Sequence, residues 1–196
     1  MFMKPVMERL GQGPFFRSKF ALLMRIMAIA LAIMVLVWII NIWRGGLSDA
    51  PGANIFAGIL FQLFLVVGTY MAVHAMFIRA GEVSQLLEGT YTAIPIASIF
   101  LKMIGELWAA MMIAITVGAT FATWIMAAAP RSLMGAVEPF APPTTLLHGI
   151  DNAFLAGLAL LIVGVIFALL YLFTFYVLAD IVTVLGDVGT SARRKV

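Results

Sequence analysis

Cysteine is absent from the chain and charge is scarce. Without a thiolate there is no disulfide, thiolate metal site, iron–sulfur cluster or covalently attached c-type haem. Only 11% of the 196 residues are charged and 64% are hydrophobic, against about 25% and roughly 45–50% in an average soluble domain. A soluble chain of this length cannot hide that much apolar surface, so the composition demands the bilayer as solvent. The net charge of +3 resides in a few residues concentrated at the chain ends. No stripe of Lys and Arg is available to neutralise phosphates, which argues against a nucleic-acid partner. Also missing are G-x-S-x-G, H-E-x-x-H, a P-loop and a Gly-rich dinucleotide turn. No catalytic set and no cofactor are expected.

What is present is long apolar runs. Crossing the hydrocarbon takes about 20 apolar residues, and four segments qualify: 21–43, 54–78, 98–127 and 152–180. The first and third connections, "RGGLSDAPG" and "PRSLMGAVEPFAPPTTLLHG", are rich in Gly and Pro, as turns and loops are. The run Ile26 to Trp43 is longer than a signal h-region, so it reads as a retained first helix. Ten of the twelve basic residues fall on one side of these segments: Lys4, Arg9, Arg17, Lys19, Arg25, Arg79, Lys102, Arg193, Arg194 and Lys195. Only Arg44 and Arg131 fall on the other. The positive-inside bias then puts both termini in the cytoplasm of a bacterial inner membrane. The expected organisation is one membrane domain, 1–196. It has a cytoplasmic segment 1–20, a cytoplasmic connection 79–96, an outer Pro-rich loop 128–151 and a cytoplasmic tail 181–196. Helix 2 is expected to run on towards Gly89 and helix 4 to about Leu185, and the outer loop either folds back over the bundle or docks on a partner.

The second half of the chain echoes the first. At an offset of 98 residues Asn54 meets Asn152, Phe56 meets Phe154, Glu82 meets Asp180 and Leu87 meets Leu185. At an offset of 81, Trp43 meets Trp124 and Arg25 meets Glu106. The expected fold is an all-α membrane bundle of four transmembrane helices. They form two tandem hairpins related by a pseudo-twofold along the membrane normal. Asn54 and Asn152 are expected to cap their helices, and Trp43 and Trp124 to sit at the outer interface.

The charged residues in "IFLKMIGELWAA" need a reason to be there. From Glu106 in steps of four lie Ala110, Ala114, Gly118 and Ala122, a small-residue ridge that lets another helix approach closely. Glu106 opens the ridge and is expected to face a helix. One reading pairs it with Arg25 across the bundle, with Lys102 snorkelling above; the other sends all three to the headgroups separately. Either way the role is structural. Glu82 and Asp180 form an inner-edge acidic pair that Arg79 or the terminal cluster Arg193, Arg194 and Lys195 would neutralise. That cluster also suits anionic lipid. His74 and His148 fall on opposite sides, which argues against a bis-histidine haem. The thirteen Met are scattered, which favours packing over a copper site.

The expected function is a non-catalytic accessory, scaffold or assembly subunit of a larger inner-membrane complex. Its partners would be lipids and other membrane subunits, met through the third helix and the outer loop; self-association is the other arrangement considered. The alternative is a small-solute or ion transporter or channel formed by oligomerisation, with Gln62, Thr69, Thr116 and Thr120 lining the path.

Overall fold

A computed structural model describes residues 13–45, 47, 50–86, 93–127, 133, 135, 137–143 and 150–193. Among them are four long helices and no strand: α1 (Gly13–Arg44), α2 (Gly52–Gln85), α3 (Ala93–Met126) and α4 (Ala153–Arg193). All four are long and apolar enough to cross a membrane, the architecture of a multi-pass membrane protein.

Each helix overruns its apolar segment. A lipid boundary ends the hydrophobic run but not the hydrogen-bond ladder, which continues while the residues tolerate it. Hence α4, at 41 residues, is about 61 Å long at 1.5 Å per residue. Ends follow local chemistry. Pro95 sits in the first turn of α3, where its missing N–H is not needed. Ala127 takes φ 50° immediately after α3, the left-handed turn that stops a helix. The Asn152 side chain accepts from the N–H groups of Phe154 at 2.9 Å and Leu155 at 3.1 Å, capping α4. Asn54 does not do the same. α2 begins two residues earlier, and its cap is Pro51, whose carbonyl accepts from Asn54 and Ile55.

α3 is the most buried helix and α4 the least. α3 runs antiparallel to α2 on one side and to α4 on the other, while α1 packs on α2. Small residues set the spacing. Gly68 of α2 lies against Ala114 and the Ala110 carbonyl, and Gly118 lies against Phe61. Gly164 of α4 lies against Thr116, and Gly105 of α3 against Phe175. The ridge Ala110–Ala114–Gly118 is thus the face that meets α2.

The segment between α3 and α4 folds back onto the bundle. Leu133, Val137 and Phe140 are buried in the core shared by α1 and α3. The Phe140 ring, in the 3-10 turn Glu138–Phe140, lies 6.0 Å from Trp38 of α1 and 4.5 Å from Trp108 of α3. Trp108 stacks in turn on Tyr171 of α4 at 5.5 Å. Trp38 lies five residues before Trp43, about 7.5 Å along the axis of α1. These contacts make the turn a wedge between α1 and α3.

Candidate functional site

Charge converges where α2, α3 and α4 pass one another at the basic end of the bundle. Arg79 lies near the end of α2 and Glu106 near the beginning of α3, so the antiparallel pairing brings them level. The Arg79 fork grips Glu106 with two bonds: Nε donates to Oε2 at 3.0 Å and Nη2 donates to Oε1. Planar guanidinium and carboxylate match in this bidentate geometry, the strongest kind of charged pair. Nη1 donates to Glu82 one turn along α2, at 2.7 and 3.0 Å. Tyr176 of α4 closes the group, donating to Glu106 Oε1 at 2.5 Å and accepting from Arg79 Nη2 at 3.1 Å. Lys102 stands beside it, with Nζ 3.4 Å from Asp180 and 5.4 Å from the Tyr176 ring centroid. Three helices are tied by one network whose donors and acceptors satisfy each other.

The Arg25–Glu106 pair is not formed. α1 meets α2 through Ala21, Met24, Ala28, Leu31 and Val35, and Arg25 lies one step round from that stripe, exposed. Arg79 takes its place. Glu82 and Asp180 are not a pair either: Arg79 holds one and Lys102 the other. Arg194, Lys195 and the side chain of Arg193 lie outside the described residues, as do Lys4, Arg9, Arg131 and His148. His74 is exposed and stacks on Tyr70 at 6.0 Å. Among the described residues no group of three or more His, Cys, Asp or Glu converges.

The polar residues considered for a transport path point to different interfaces. Gln62 Oε1 accepts from Trp43 of α1 at 3.1 Å. Thr69 donates to its own helix at Leu65, at 2.7 Å, facing Met111 of α3. Thr120 donates to Gly157 of α4 at 3.2 Å, and Thr116 lies against Gly164. Gln62 Nε2 and Thr116 Oγ1 are buried with no hydrogen-bond partner.

Three features escaped the sequence reading. Tyr176 as a member of the network had no signal, since nothing marks which tyrosine faces a charge. Arg79 was expected against Glu82, where it is, but not against Glu106; its signal was that an antiparallel α2–α3 hairpin brings the end of one helix level with the start of the next. Glu138 was seen only as part of a Pro-rich loop. It is exposed two residues from Phe140, on the wedge. Helix order, wedge and network define a four-helix multi-pass membrane protein whose charges hold helices together. No protein-family model matches the chain, and neither does any curated protein or solved structure.

Proposed function

We propose that this chain is a non-catalytic subunit of a larger membrane complex, a scaffold or assembly element rather than an enzyme. What supports the reading most is the wedge. Non-helical backbone at hydrocarbon depth is tolerated only where protein or water covers it, never facing lipid. Glu138 and Pro139 are exposed beside the Phe140 ring, whose neighbour Trp38 lies five residues inside Trp43 along α1, about 7.5 Å, so this turn sits inside the end of the bundle. A neighbouring subunit over this face satisfies that requirement, and the outer loop and α3 are where it would sit. The Arg79–Glu106–Tyr176 network serves such a role as a lock on the relative rotation of three helices.

In this reading the chain lies in a bacterial inner membrane with both termini cytoplasmic, because the basic residues gather at that end. The two-hairpin repeat draws support from the tryptophans: Trp43 donates to Gln62 of α2, and Trp124 donates to the Phe154 carbonyl of α4. Each indole ties one helix to the next.

The test is extraction in mild detergent at native abundance, native gel separation and mass spectrometry of the co-migrating band. Stoichiometric larger partners are expected, and Glu138→Leu should leave the monomer folded while weakening their retention. Recovery of this chain without any other subunit overturns the reading. Liposome flux sensitive to Gln62→Ala would move the assignment to a transporter.

A further inference from the structure

α4 is longer than a membrane can cover. Its spanning helix Ala153–Val188 is 36 residues, about 54 Å, against a hydrocarbon core of about 30 Å. The belt of Arg79, Glu82, Lys102, Glu106 and Asp180 marks where the hydrocarbon ends, because ionised groups are expensive inside it. Residues 181–188 lie past that belt, alongside the beginning of α3, where Thr183 donates to Ser98 and Gly186 lies against Ile94. Yet Ile181, Val184, Leu185 and Val188 are 49%, 58%, 66% and 61% exposed. Lipid does not cover them there, and four apolar side chains on one stripe do not favour water.

Their spacing is that of a coiled-coil seam. Val177, Ile181, Val184 and Val188 follow one another by four, three and four residues, the d-a-d-a positions of a heptad. Ala179 and Gly186 occupy the opposite, f, positions and are buried against the chain's own bundle, so the seam points away from it. Leu178 and Leu185 widen it at e. A shallow groove of about 400 Å³ runs along it, lined by Val177, Asp180, Ile181, Val184 and Leu185.

We propose that this seam pairs with the same seam of a second copy of the chain, as a parallel coiled coil just beyond the membrane. Copies inserted in one membrane share one orientation, so identical seams are presented in parallel and in register, as a twofold along the normal requires. The charges permit it. In a parallel pair a g residue faces the e residue five positions on, so Asp180 faces Leu185 of the second copy and no like charges oppose. Asp180 is already held by Lys102 of its own copy. The area suffices as well: with Leu170 and Phe173, also exposed, extending the seam into the membrane, each copy offers on the order of 500 Å², so pairing buries about 1,000 Å², the threshold for a specific interface. This pairing goes beyond the subunit reading and does not depend on which complex the chain joins.

The absence of cysteine makes the test clean. In native membranes under mild oxidant, Val184→Cys at the seam is expected to give a disulfide-linked band at twice the chain mass. Thr183→Cys, one residue round and off the seam, should give at least five-fold less. Ile181→Asp with Val184→Asp should halve the particle mass by light scattering while helical circular dichroism is retained. Equal cross-linking of the two cysteines, a Val184→Cys conjugate of any other mass, or an unchanged particle mass in the Asp variant each overturns the proposal.

Discussion

A carboxylate held by both nitrogens of an arginine fork and by a tyrosine hydroxyl is stable only as a set. Removing one member leaves the others partly buried and unpaired, and hydrogen bonds to charged groups are worth roughly 1.5–3 kcal/mol. Glu106→Gln is therefore expected to lower stability by about 2 kcal/mol in reversible denaturant titration, and Arg79→Gln by a similar amount. Together they should cost less than their sum, with a coupling of about 1 kcal/mol or more. Arg25→Gln should stay within about 0.5 kcal/mol of the parent, since the Arg25 side chain is exposed. Additive losses at Arg79 and Glu106, or a large loss at Arg25, would mean that the pairing described here is not the one that matters. That Glu106 faces protein was legible from the ridge of small residues behind it. Its partner was not, because a repeat offset equates positions along the chain while contact depends on how each helix is rotated.

Helices were legible as elements because apolar runs of membrane length have few other uses. Their ends were less so: 21–43 became Gly13–Arg44, while the run of α4 past its apolar segment was legible to about Leu185 and reaches Arg193. Hydropathy reports where lipid lies, whereas a helix persists until a cap or a turn stops it. That the Pro-rich loop folds back on the bundle was one of its two readings; where it inserts was not legible, since that depends on the gap that α1 and α3 leave between them. Between α3 and α4 the spacing is set by Gly164, where an added Cβ would sit 2.7 Å from Thr116 Cβ. Gly164→Ala is expected to cost about 1–3 kcal/mol by overpacking. The Thr116 hydroxyl is buried without a partner, so Thr116→Ala gives up no hydrogen bond. It should be close to neutral alone and should recover part of the loss when combined with Gly164→Ala, since it removes Oγ1 and Cγ2, the atoms nearest the added Cβ, and leaves the Cβ of residue 116. A double variant no better than Gly164→Ala would place the spacing constraint elsewhere.

At the scale of the whole molecule, the charge asymmetry and the network meet at the same end. Arg17 near the start of α1 donates to the Leu86 carbonyl at the end of α2, and Lys102, Arg79 and Asp180 lie along the same end of the bundle. Arg44 ends α1 at the opposite pole. A bundle with an even number of spans has both termini on one side, so one orientation choice sets every loop. The K/R bias is the physical term that makes it, because basic segments resist translocation. Alkaline phosphatase fused after Pro143 is therefore expected to be active, and fused after Leu86 or at the C terminus to be inactive. A fluorescent protein at the C terminus should fold and emit. The reverse pattern would put the Arg79–Glu106 network and the α4 seam outside the cell. The seam would then face a periplasmic surface, and the chain's docking partners would have to be sought there.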